Sequence, residues 1–182
     1  MDRILPQEIP RASDLLRTRG LVQGPARRYG ACMTDDLTRN QTFDLPAGYQ
    51  MLPWHRGFGR QIGPLFEKRD GTGLTRAFRV EEHHTNGMLN AHGGMLMTFA
   101  DMAWGAAVEK NEDTWWVTVR LMCDFLSGAP MHSFIEGKGR VIGRQDDIFT
   151  VEGKIWTGDK LLMRGTGIFK VIERREGMPG RG

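Results

Sequence analysis

The sequence predicts an α+β domain in which an antiparallel β-sheet curls around one central buried helix. Three observations lead there: a segment from Gly93 to about Lys110 with almost no polar face, two strand-like segments before it, and four after it on short turns. A helix that is apolar on most sides is enclosed by protein. Strands joined by short turns suggest one antiparallel sheet curled around it.

The elements follow in order. Residues 1–49 are rich in Arg, Gly, Pro, Asp and Thr and read as an N-terminal extension, with a short helical possibility around Ala12 to Arg19. Residues 50–174 read as the folded domain and 175–182 as a frayed tail. From Gly63 the chain changes character: Pro64 to Lys68 is a strand, 69–73 a turn, and Thr75 to Glu82 a second strand. Within the helix, Met95, Leu96, Phe99, Ala100, Ala103, Trp104, Ala107 and Val108 are apolar, while Asp101 is the one ionisable group between His92 and Glu109. From Trp115 to Leu126 the residues Val117, Val119, Leu121, Cys123 and Phe125 alternate with Thr118, Arg120 and Asp124, which predicts one apolar strand face. Ser133 to Ile142 places Phe134, Glu136, Lys138 and Arg140 on one face, and 143–147 turns again. Ile148 to Thr157 pairs with Leu161 to Glu173 through Gly158-Asp159, a dipeptide suited to the positive φ of a tight hairpin.

Composition excludes more than it selects. The 182 residues suffice for one domain without a disulfide or metal staple, and no apolar run approaches the ~20 residues that cross a bilayer. The first ten residues lack the apolar core of a secretory signal, and Cys32 and Cys123 lie in unlike contexts. A cytoplasmic location with reduced thiols is the expectation. The net charge of +3 is scattered rather than clustered, which argues against nucleic acid; it would suit a small polyanionic ligand, but on charge alone a merely solvated surface is the favoured reading.

The chemistry concentrates just before the helix, where His83-His84-Thr85-Asn86-Gly87-Met88-Leu89-Asn90-Ala91-His92-Gly93-Gly94 packs three histidines, two asparagines and a glycine pair. Paired glycines at a helix start let another molecule approach the backbone, and the first-turn N–H groups favour developing negative charge. An oxyanion site is one reading; close packing of the helix against the sheet is the other. Asp101 is likewise either a functional carboxylate or a buried group satisfied by backbone or Thr98. It lies about 12 Å along the helix from Gly93, too far within one subunit, so a shared site predicts a two-fold dimer in which Asp101 of one chain meets Gly93 and Asn86 of the other. A metal on His83, His84 and His92 lacks a recognised ligand spacing. Ser127, Ser133 and Cys123 are poorly placed as nucleophiles. Met88, Met95, Met97 and Met102 either line an acyl pocket or fill the core.

These residues carry a family resemblance. The segment from His84-Thr85-Asn86 through His92-Gly93-Gly94 to Asp101 closely resembles the PaaI-type hotdog thioesterases, with Asn86 six positions before His92 and Asp101 nine after it. The resemblance runs from about Gly63 to Glu173, and Val117-Thr118-Val119 is similar to the strand on which that family places a Ser or Thr near the catalytic water. It implies a hotdog fold, dimers assembled into tetramers, and hydrolysis of an acyl-CoA thioester with no metal or organic cofactor, coenzyme A being part of the substrate. Carried over, the Gly93 N–H polarises the carbonyl with help from Asn86, Asp101 of the neighbouring subunit activates water, Thr118 places that water, and His92 shapes the loop. Gly94 and Met88 would border the substrate, and Arg144, in the turn after the Ser133 to Ile142 strand, would meet CoA phosphates. One departure stands out: where the family pattern has Gly three positions after the Asn, this chain has Leu89, with Gly87 earlier.

Two other classes remain open. A non-hydrolytic acyl-CoA sensor or scaffold would keep the pocket without the reaction, but a DNA-coupled sensor needs a helix-turn-helix that Ala12 to Arg19 is too short to supply. A hydratase or dehydratase on the same fold would also set an acidic group beside an acyl-CoA.

Overall fold

The computed structural model describes residues 44–53, 57–109 and 114–173. The extension expected over 1–49 thus lies outside the described residues up to position 43, as do the helical possibility at 12–19 and the tail at 175–182. In chain order come β1 (Gln50–Met51), α1 (Gly57–Gln61), β2 (Leu65–Asp70), β3 (Gly73–Arg79), a 3-10 turn (Glu82–His84), α2 (Gly93–Gly105), a 3-10 turn (Ala106–Val108), β4 (Trp115–Phe125), β5 (Phe134–Gln145), β6 (Ile148–Thr157) and β7 (Lys160–Ile172). The strands form one seven-stranded antiparallel sheet in the order β1-β2-β3-β5-β6-β7-β4. This is the expected α+β architecture, with α2 against one face of the sheet and β4 at the end of the order.

Strand alternation sets the helix-facing surface. Ile135 on β5 and Val151 and Ile155 on β6 are fully buried toward α2, while Glu136, Lys138 and Arg140 point away. Phe99 and Trp104 press so closely on this face that Gly137 and Gly153 leave no room for a side chain: a Cβ at Gly153 would lie 2.2 Å from the Trp104 ring. Trp104 is itself fully buried, and truncating such a side chain to Ala costs ~3–5 kcal/mol. At the far end of α2, the Arg76 guanidinium donates to the Met102 carbonyl at 2.8 Å and pairs with Glu109 at 3.1 Å. Trp116 donates to the same Glu109 oxygen at 3.1 Å. A cation there complements the negative end of the helix dipole.

Three expectations need correction. The strict alternation expected along β4 breaks at a bulge, because Thr118 pairs with Phe169 and Arg120 with Ile168, leaving Val119 as the extra residue. Before the bulge Trp116 and Thr118 face α2; after it Leu121 and Cys123 pack on the core. Val117 and Val119 are therefore not core residues, being 45% and 58% exposed. The second correction concerns α2, which is not covered on all sides. Met95, Leu96, Phe99, Ala100, Met102, Ala103 and Trp104 are buried, but Gly94, Met97, Thr98 and Asp101 form a stripe that the described residues leave partly open. Helical segments also stop sooner than the hydrophobic pattern suggests: α2 ends at Gly105 and tightens to a 3-10 turn, a common form for a last helical turn.

Candidate active site

The segment leading into α2 is built on a buried histidine. The Glu81 N–H donates to His84 Nδ1 at 3.0 Å, so Nε2 carries the hydrogen and donates to the Ile62 carbonyl, also at 3.0 Å. The ring packs edge-on against Phe78, and the His84 carbonyl accepts from the His92 N–H at 2.8 Å. The neutral imidazole thus joins the residues after β3 to the segment after α1, and the His84 backbone carbonyl carries the link to the start of α2. Burial, reinforced by the nearby His83, holds its pKa below the ordinary imidazole value.

Between His84 and His92 the chain folds into a compact loop. Asn86 closes it: its N–H donates to the Asn90 carbonyl at 2.8 Å, and its Oδ1 accepts from the N–H groups of Met88 at 2.9 Å and Asn90 at 3.3 Å. The side-chain carbonyl is thereby used up, and no partner holds Nδ2 among the described residues. Leu89 stands in the left-handed region at φ +56°, a conformation that costs a non-glycine residue ~1–2 kcal/mol. The position at which the family pattern has Gly keeps a glycine-like backbone with a leucine on it. A bridge from Thr85 to Ala91 closes the base of the loop, and one from Asn90 to Pro130 ties it to the segment after β4.

At the helix start the two glycines do different work. His92 is the N-cap, and its Nδ1 accepts from the Gly94 N–H at 2.8 Å; a Cβ at Gly94 would stand 3.0 Å from that nitrogen. Gly94 is needed for the cap, and its N–H is spent on it. Gly93 has neither constraint. A Cβ there would make ordinary contact with the Phe125 ring at 3.5 Å, and its N–H has no partner among the described residues. The His92 cap therefore accounts for Gly94, and packing of the helix against the sheet requires neither glycine.

Asp101 lies on the open stripe of α2, and the Thr118 hydroxyl from β4 donates to its carboxylate. The β4 bulge is what turns Thr118 toward the helix. Partial burial raises the Asp101 pKa above the usual aspartate value, and the Thr118 bond opposes this. The chain thus brings Asp101 to Thr118 and sets the His92 cap beside Gly93, with Asn86 turned into the preceding loop, while Asp101 and Gly93 stay about 12 Å apart along α2. Met88 is 76% exposed on the loop. Arg144 is not in a turn as expected: the β5–β6 ladder continues through Arg144 opposite Phe149 to Gln145 opposite Ile148. It is an exposed residue near the end of β5 that donates to the Asp146 carbonyl at 2.9 Å and stacks on Phe149. It shares the cross-strand row of Thr118, three strands away, and is not beside Gly93. Among the described residues no group of three or more His, Cys, Asp or Glu is disposed to hold a metal, and His84 and His92 spend Nδ1 on backbone. Sequence reasoning missed the His84 clamp, whose signal was a histidine two positions before the loop asparagine, and the ring of Phe125 at Gly93.

The fold, an antiparallel sheet with one central helix, is that of the hotdog thioesterases. The thioesterase superfamily profile matches residues 89–163. A Pseudomonas aeruginosa protein named "Putative esterase PA0474" is 30% identical over 129 residues, covering 69% of this chain and 96% of that protein. The chain belongs to the thioesterase superfamily. Among solved structures, the BH2602 protein of Bacillus halodurans, crystallised with CoA, is similar at a TM-score of 0.54 and 23% identity, over 63% of this chain and 76% of that one. The E. coli PaaI protein from the phenylacetic acid degradation operon is similar at a TM-score of 0.51 and 20% identity, over 54% of this chain and 72% of that one.

Proposed function

We propose that this protein hydrolyses an acyl-CoA thioester to the free acid and CoA, at sites shared between two copies of the chain. The observation that carries the reading is the Thr118–Asp101 pair on the open stripe of α2, beside the edge strand β4. A desolvated carboxylate with raised pKa is a competent general base, and Thr118 holds it in place. An edge strand with exposed Val117 and Val119 suits pairing with its own copy about a two-fold axis. That pairing would turn Asp101 toward Gly93 and Asn86 of the partner subunit, and a homotetramer would be a dimer of such dimers.

In this mechanism the thioester carbonyl oxygen accepts from the Gly93 N–H and Asn86 Nδ2. Water, its proton passing to Asp101, attacks the carbonyl carbon. The negative charge that develops on oxygen is held at the positive end of α2, where a preset donor stabilises the transition state more than the ground state. The C–S bond then breaks, and the CoA sulfur leaves with the proton from Asp101. His92 and Gly94 set the geometry of the helix start, Met88 borders the substrate, and Arg144 is assigned to the CoA phosphates on charge alone. The reaction draws on water and side chains, without metal or organic cofactor. Among the described residues no helix is long and apolar enough to cross a membrane. The CoA-bound relative supports the substrate class.

The test is release of CoA thiol from short, medium-chain and aromatic acyl-CoAs by wild type and Asp101→Asn. Hydrolysis that falls roughly a hundredfold or more in the variant, with KM little changed, is the expected result. A folded wild type that binds CoA and hydrolyses none of them would leave a non-catalytic acyl-CoA-binding protein.

A further inference from the structure

Leu89 is held in a backbone conformation that glycine adopts freely and leucine resists. The hold comes from both sides: its N–H donates to the Asn86 carbonyl at 2.9 Å, and its carbonyl accepts from the Met131 N–H at 2.9 Å. A strained residue persists where its surroundings impose it, and such residues cluster at functional sites. Burial of the side chain would offset the strain inside a core. Here the Leu89 side chain is 56% exposed, and Met88 next to it is more exposed still. Within the chain, then, leucine contributes little that glycine would not do better.

The location indicates what else the side chain meets. Leu89 is three residues after Asn86 and four before Gly93, the two donors to which the thioester carbonyl is assigned. Phe125, 53% exposed, brings an apolar side chain to Gly93. From a carbonyl at that point the thioester runs two ways, toward the polar, polyanionic CoA and toward the acyl group. Exposed apolar side chains suit the acyl half.

We infer that Leu89, together with Met88, forms an apolar lip that grips the acyl group and sets chain-length preference, so that the substrates are medium-chain or aryl thioesters rather than acetyl-CoA. The inference rests on the acyl-CoA reading above. It makes Leu89 a specificity-determining residue whose strained backbone is kept for the sake of its side chain.

The experiment compares wild type, Leu89→Gly and Leu89→Ala in the full chain on acetyl-, hexanoyl-, decanoyl- and phenylacetyl-CoA, with thermal unfolding and sedimentation of each. In Leu89→Gly the ratio of kcat/KM for decanoyl- over acetyl-CoA should fall about tenfold or more, mainly through KM, while Tm rises as the strain is released. Leu89→Ala should lower the same ratio without the gain in Tm. An unchanged ratio in an active variant overturns the lip and leaves the acyl-CoA reading intact. Loss of the dimer in either variant also overturns it, since Leu89 would then contact a second copy. A wild type that hydrolyses none of the four overturns the lip and the reading beneath it together.

Discussion

The Thr118 hydroxyl donates to the Asp101 carboxylate across the gap between β4 and α2, joining an edge strand to a partly open helix stripe. Thr118 is exposed and Asp101 half-buried, so the pair lies at a surface rather than in the core. A bond in this position does little to hold the sheet together. Its effect is on the protonation and aim of the carboxylate.

Thr118→Val should therefore move the acid limb of the rate profile. The Thr118 bond lowers the Asp101 pKa against the rise from burial, and its removal leaves burial unopposed. A base works when deprotonated, so the limb should shift to higher pH, read from kcat/KM between about pH 4 and 8. A limb that stays in place would detach Asp101 from the rate.

Asp101→Asn should be at least as stable as wild type at neutral pH. Because the folded-state pKa lies above the ordinary 3.8, the charged form costs stability at pH above the folded value. The advantage of Asn should shrink as pH falls and vanish below about 3.8. Thermal unfolding at several pH values reads this, and a variant less stable at pH 7 would show that the carboxylate is a structural group.

His84 predicts the opposite slope. Its folded pKa is held below the ordinary 6.5, so the unfolded chain binds the extra proton first and the fold loses stability as pH drops through and below about 6.5. His84→Gln should flatten that part of the curve and lower stability overall by about 1–3 kcal/mol, through backbone groups left without partners. Urea unfolding from pH 7.5 to 5 is the measurement. An unchanged slope would mean that His84 is not the titrating group.

Val119→Lys should weaken self-association. A lysine on the bulge of β4 sets like charges near each other if two copies pair there, a device by which edge strands are kept apart. Sedimentation should show a shift toward monomer, with activity falling alongside if the site is shared. A variant that stays dimeric would place the interface elsewhere.

Much of this was legible beforehand because it rests on period and punctuation. The apolar run after His92 gave α2, and Gly158, at φ +53°, gave the β6–β7 hairpin. Asp101 stood out as a lone carboxylate, and its threonine partner was available by resemblance. What escaped notice rests on contacts that spacing does not encode. Val119 reads as one more member of an alternation, yet Arg120 rather than Val119 takes the next pairing position. Leu89 has no propensity that announces a left-handed backbone; the Met131 N–H from a distant segment imposes it. His84 reads as one of three loop histidines until Ile62 and Glu81 close on its two nitrogens.

The bulge also bears on how this chain is set beside its relatives. Val119 is supernumerary to the ladder: with it removed, Trp116, Thr118, Leu121, Cys123 and Phe125 would still fall on one face in unbroken alternation. A relative whose strand lacks the bulge therefore aligns with a one-residue gap at Val119. An ungapped alignment would match one half of β4 to residues of the opposite face, and would carry the hydroxyl of Thr118 onto the wrong position.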